Sequence, residues 1–270
     1  MSGAACQGTS PAVTSSTVTI EYFTDPLCSW SWGFEPQWRR LRFEFGNHLR
    51  WRYRMGGLIA DWASYADPFN SVSRPVQMAP QWIEVHHLTG MPIESRLWID
   101  DPPQSSYPAC IACKAAELQS PQFGERYLRR LREAVMMEQR NIGGREVLVS
   151  LAEELGQATD FDAKRFVNEM DGPAAIEAFR EDVKAARYRG IGRFPALVLQ
   201  RPESPGLLMV GYRPYAMLRA ALRHLAPMLE PAAEKADADT YRNYWGSITS
   251  RELTDWLREG GTDHPTVPAE

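Results

Sequence analysis

Val18-Thr19-Ile20-Glu21-Tyr22-Phe23-Thr24-Asp25-Pro26-Leu27-Cys28-Ser29-Trp30-Ser31-Trp32-Gly33 is the stretch on which the reading of the chain turns. A β-branched and aromatic run leads into a turn, and a helical pattern follows, so Cys28 stands between a strand and the N-terminus of a helix. Unpaired N–H groups at such a terminus stabilise a thiolate, which lowers the ordinary cysteine pKa of about 8.5 to between about 3.5 and 7.5. Cys28-Ser29-Trp30-Ser31 has the outline of a redox Cys-x-x-Cys whose second cysteine is a serine. The attacking sulfur is kept and the resolving one is absent, so single-thiol chemistry is expected. Ser31, one turn into the helix, can offer its hydroxyl to the sulfur. The competing reading is that Cys28 is a small buried hydrophobe, as free cysteines often are.

Outward from the turn, Trp38, Leu41, Phe43 and Phe45 predict a helix to about Gly46, and Trp51, Tyr53 and Met55 alternate with Arg50, Arg52 and Arg54 as a second strand. Its arginine face is read as an anion-binding stripe or, more plainly, as a solvated or ion-paired face. Gly56-Gly57 ends the pattern. Helical spacing then dominates: Pro75 to Leu88 stopping at Gly90, Pro108 to Leu118, Phe123 to Val135, Val147 to Leu155, a helix near Phe166 capped by Asp160, and Pro173 to Ala186. Strand signals return at 195–199 and 207–210, joined by a loop from Gln200 to Gly206, and a helix from about Tyr215 to Leu229 follows. The order is that of an α/β core interrupted after its second strand by an all-helical insertion. Its parts are a disordered leader, 1–16; the core, 17–58 and 190–229; the insertion, 59–189; and a C-terminal tail, 230–270, with a short helix capped by Thr249 or Ser250.

Across its 270 residues the chain is 44% hydrophobic and 24% charged with net charge −4, which suits a soluble globular protein and argues against a nucleic-acid surface. No window approaches the ~20 apolar residues of a membrane span. Four cysteines are too few for a disulfide scaffold, which favours a cytoplasmic location. Cys110-Ile111-Ala112-Cys113 is an intact Cys-x-x-Cys, but its alanine and isoleucine surroundings favour core packing; a second redox pair, or a resolving role for Cys28, stays open. Zinc would need two further ligands, and His86 and His87 are adjacent and so point to different helix faces. Cys6 is read as incidental.

With Gly192-Arg193-Phe194-Pro195 placed just before the third strand, the chain resembles the DsbA family of thioredoxin-fold proteins over roughly residues 17 to 229. The match is carried by Asp25-Pro26-Leu27-Cys28 with Ser31, Trp32 and Gly33, and by Phe194-Pro195 at the family's cis-proline position. Ser106-Tyr107-Pro108-Ala109 looks like the branch that includes FrnE-type and ClpXP-adaptor proteins. The resemblance implies a thioredoxin-like core with a helical domain inserted after the second strand, Cys28 and Ser31 as catalytic groups, and Trp30, Trp32, Phe194 and Pro195 lining a substrate groove. A cis bond would turn the Phe194 backbone toward the thiol, where an extended peptide or glutathione can pair as an added strand. One of the two tryptophans is expected to line the groove while the other packs inside.

The expectation that follows is an enzyme: a thiol-disulfide oxidoreductase using Cys28 as a monothiol nucleophile on protein or glutathione disulfides. Glutathione is its expected co-substrate, without a tightly bound cofactor or metal. One alternative is a non-catalytic protease adaptor that binds a partner protein on the same fold. The other is a glutathione-dependent transferase or isomerase in which Ser31 or Ser29 polarises the glutathione sulfur.

Overall fold

The structure, a computed structural model, describes residues 17–68, 70–231 and 237–258, so the expected leader and Cys6 lie outside the described residues. Four strands, β1 (Val18–Thr24), β2 (Leu49–Met55), β3 (Ala196–Gln200) and β4 (Leu207–Val210), form one sheet in the order β2-β1-β3-β4. β1 and β2 are parallel, which demands a crossover; α1 (Ser29–Gly33) and α2 (Glu35–Phe45) supply it. β3 runs antiparallel to both β1 and β4, and a short loop joins it to β4. The expected single helix after the cysteine is thus two, because Pro36 in the first turn of α2 starts a new helix rather than continuing the old one.

Period-two alternation divides β1 between two apolar surfaces. Val18, Ile20 and Tyr22 join Trp38, Leu41 and Phe45 of α2 and, from α10 (Tyr215–Leu225), Leu218 and Leu222. Phe23, on the opposite face, packs with Ala196, Val198 and Phe194. Burying rows like these, at about 25 cal/mol per Å², is the main term holding the layers together.

Between β2 and β3, among the described residues, come seven α-helices: α3 (Met78–Thr89), α4 (Leu97–Asp100), α5 (Tyr107–Glu117), α6 (Pro121–Met137), α7 (Arg145–Ala158), α8 (Ala163–Asp171) and α9 (Pro173–Tyr188). They share their own core, into which Leu27, Trp32 and Met55 from the cysteine turn and the end of β2 also reach. α8 is capped by Asp162, whose side chain accepts from the Arg165 N–H, and not by Asp160. The short α4 gave no periodic signal, having one turn only. α10 ends at Leu225, where the expected helix ran on to Leu229.

Among its described residues the tail carries two helices where one was expected, α11 (Ala238–Trp245) and α12 (Ser250–Leu257), the latter opened by a capping box between Thr249 and Glu252. Tyr241 and Trp256 stack on each other and close around Phe43 of α2. The arginine face of β2 is ion-paired: Arg52, Arg54 and Arg189 converge on buried Glu21, and Arg54 also bonds Asp182.

Candidate functional site

Cys28 is itself the N-cap of α1. Its extended backbone (φ −77°, ψ 106°) lets Sγ accept the Ser31 N–H at 3.4 Å, the bond a serine or aspartate makes in an ordinary cap. The turn before it is built by Asp25, whose C=O receives the Cys28 N–H and whose Oδ1 receives the Leu27 N–H. On the other side Sγ lies 3.5 Å from the Phe194 carbonyl oxygen, and the Phe194–Pro195 peptide is cis. Fold topology therefore joins positions 166 residues apart in one sulfur environment.

That environment is closed. Cys28 is 5% exposed and packs with Phe23, Ile191, Phe194 and Ala196. Burial pushes its thiol above the ordinary value; the Ser31 hydroxyl and amide pull the other way, buried Asp25 adds to the rise, and the Arg132 guanidinium offsets part of it. The expected depression of this pKa is therefore corrected: the helix N-terminus is present, but desolvation outweighs one helix of five residues. Ser31 and Tyr22 are both fully buried beside the thiol.

The two tryptophans separate. Trp32 is fully buried in the helical core, donating Nε1 to the Pro92 carbonyl at 2.9 Å beneath the Arg129 guanidinium. Completely buried, it offers no surface to a substrate, so its expected substrate contact is corrected to a packing role. Trp30 is half-buried between the thiol cluster and Tyr212, whereas Phe194 and Pro195 are buried.

Gly56 explains how Phe194 can sit where it does. A Cβ at that position would fall 1.9 Å from Phe194 Cζ, so only the missing side chain admits the ring. Gly56→Ala is expected to swing Phe194 off the thiol, at about 1–3 kcal/mol in stability. Alkylation of Cys28 by iodoacetamide should then run faster than in wild type; an unchanged rate with a normal fold would show that the ring is not the cover.

Behind the thiol lie two groups that spacing could not reveal. Asp25, fully buried, accepts from Leu27 N–H, from Leu58 N–H at 2.6 Å, from Ser106 Oγ at 2.8 Å and from Cys110 Sγ at 3.3 Å, so one carboxylate ties the cysteine turn to the insertion. Burial raises its pKa against those four donors. Cys110 and Cys113 are both buried and free, and burial pushes both thiols up, Cys110 far up. Among the described residues no His, Cys, Asp and Glu cluster suits a metal ion.

The second group is ionic. Arg132, buried completely, bonds Glu35 and Thr24; Arg129 makes paired 3.0 Å bonds to both oxygens of Glu252 in α12; and Arg39 reaches Glu35 and Glu252 at 3.2 and 3.1 Å. The tail thereby supplies a carboxylate to a charge cluster that begins beside the thiol. The Asp25-Pro26 turn and the Thr249-to-Glu252 capping box were the only local signals pointing to either group.

Comparison with known proteins agrees with this architecture. A family model described as thioredoxin matches residues 22–220. The ClpXP adapter protein SpxH of Halalkalibacterium halodurans is 31% identical over 198 residues, which cover 73% of this chain and 63% of that protein. The crystal structure of a putative protein disulfide isomerase from Nitrosomonas europaea superposes with TM-score 0.62 at 26% identity, over 77% of this chain and 95% of that one. The cytosolic disulfide reductase DsbM of Pseudomonas aeruginosa shares the fold, with TM-score 0.56 at 23% identity over 84% and 97%. No helix among the described residues is long and apolar enough to cross a membrane.

Proposed function

The chain belongs to the thioredoxin family, in its DsbA-like branch alongside the ClpXP adapters, and from that premise we propose that it is a protein-binding adapter whose thiol does not turn over. The burial of Cys28 carries the reading: the residue is 5% exposed and its thiol is pushed up, while serine stands where a resolving cysteine would be. A thiol held neutral at pH 7 is a poor nucleophile, and without a partner sulfur within the turn it cannot release a mixed disulfide by itself. The similarity to ClpXP adapter proteins supports delivery of a bound protein to a ClpXP-type protease. Trp30, Phe194 and Pro195 would then shape a contact surface rather than a catalytic groove.

The test has a chemical and a biological arm. Iodoacetamide labelling of native Cys28 should show an apparent pKa above the ordinary 8.5 or so, becoming ordinary only on unfolding. Added to ClpXP with a bound candidate substrate, the chain should speed proteolysis, and Cys28→Ala should match wild type. Glutathione-dependent disulfide reduction by the wild type, lost in Cys28→Ala, would reverse the assignment.

That reversal defines the second reading, which the 3.5 Å approach of Sγ to the Phe194 carbonyl favours. In it the Cys28 thiolate attacks a disulfide sulfur, one thiolate leaves, and glutathione thiolate then attacks the mixed disulfide to free Cys28 and carry the oxidation away as a glutathione disulfide. Ser31 would hold the thiolate through its N–H.

A further inference from the structure

Away from the thiol cluster, a groove of about 480 Å³ opens between α2 and α10, lined by Arg40, Tyr215, Ala216, Arg219, Arg223 and His224 among others. Its charge is one-sided. Arg40 is neutralised by Glu44 at 2.9 Å and lies over the Tyr215 ring at 4.2 Å, so it is held in place. Arg219 and Arg223 meet no carboxylate among the described residues, and α10 has no acidic residue at all. They stand four apart on one helix face, where like charges repel and cost stability unless something of opposite sign covers them. Between these cations the floor is Ala216 and Ala220, side chains small enough to let a backbone come close. All this occurs on a chain whose net charge is −4.

We propose that this groove binds an acidic peptide segment of a protein partner, its carboxylates meeting Arg219 and Arg223 with the chain lying over Ala216 and Ala220. The planar, five-donor guanidinium fork suits paired carboxylate oxygens, and unpaired cations around a shallow apolar floor supply both steering and contact. The inference deepens the adapter reading and rests on it for the partner's being a protein; its readout uses neither Cys28 nor a protease, so the two fail separately.

Fluorescein-labelled poly-glutamate, followed by anisotropy on the full chain, is the probe. Wild type should bind it and not poly-lysine. Arg219→Glu with Arg223→Glu should weaken poly-glutamate binding by about tenfold or more and gain poly-lysine binding, as charge reversal across an interface predicts. Lys184→Glu with Arg187→Glu on α9 makes the same change in net charge at another exposed site and should leave affinity within about twofold. Three results would overturn the proposal: equal weakening by the α9 pair, which makes the attraction a net-charge effect; full displacement by pyrophosphate at equal charge concentration, which makes the groove a small-anion site; and tighter binding of a peptide copying residues 259–270, which makes the occupant this chain's own end.

Discussion

Asp25→Ala is expected to lower unfolding stability by about 3–5 kcal/mol, because it strips the partners from the buried N–H groups of Leu27 and Leu58 at about 1–3 kcal/mol each. The Ser106 hydroxyl loses less, since the Ile59 carbonyl at 3.4 Å can take it. Asn at this position keeps one acceptor oxygen but turns an N–H₂ toward a donor, so roughly half the loss is expected. The measurement is the urea midpoint at constant slope. The pH dependence has a definite sign. Burial raises the Asp25 pKa above its unfolded value, so the folded protein binds that proton more tightly and gains stability from this group as pH falls through the folded pKa; above it, the desolvated carboxylate weighs against folding. Asp25→Asn should remove this gain on acidification. If Asp25→Ala unfolds at the wild-type midpoint, the carboxylate is not the tie between turn and insertion.

Glu252→Leu is expected to cost about as much, roughly 3–5 kcal/mol, for a different reason. Glu252 is fully buried against Arg129 and Arg39, and removing one member of a buried ion cluster leaves cations without compensation. Glu252→Leu combined with Arg129→Met should recover part of the loss, since two apolar residues of similar volume restore neutrality. Nearby arginines hold the Glu252 carboxyl below its ordinary pKa against burial, which works in the opposite direction. Its stabilisation is therefore fully present above the unfolded value of about 4.3 and is lost as pH falls through the lowered folded value. Acidification thus sets a loss at Glu252 against a gain at Asp25, and the two single variants separate them. Limited proteolysis gives an independent readout: cleavage between α11 and α12 should accelerate in Glu252→Leu, because Tyr241, Trp256 and Phe43 are held together by the same docking. Unaltered proteolysis and midpoint would mean that α12 is held by its aromatic contacts alone.

Much of the fold was legible because its signals are local. Alternation in 50–55 marks a strand wherever it ends up, Pro and Gly punctuate the inserted helices, and Thr249-x-x-Glu252 caps α12 as its spacing requires. Errors fell where two local signals compete. Asp160 and Asp162 offer equivalent caps two residues apart, and packing of Phe161 and Phe166 against Tyr127 selects the second. Trp30 and Trp32 are chemically alike and two residues apart on a short helix, so only the surrounding cores decide which of them is turned inward.

The sequence by itself determined that a thiol stands at a strand-to-helix turn, that no second sulfur shares that turn, and that a helical domain interrupts the sheet, since each is a matter of neighbours in the chain. Tertiary structure alone decided how that thiol behaves. Phe194 reaches it from far along the chain through the space Gly56 leaves open, Asp25 and Arg132 act on it from the preceding turn and from α6, and desolvation, which depends on everything within a few ångströms in any direction, outweighs the helix terminus that the local pattern announces.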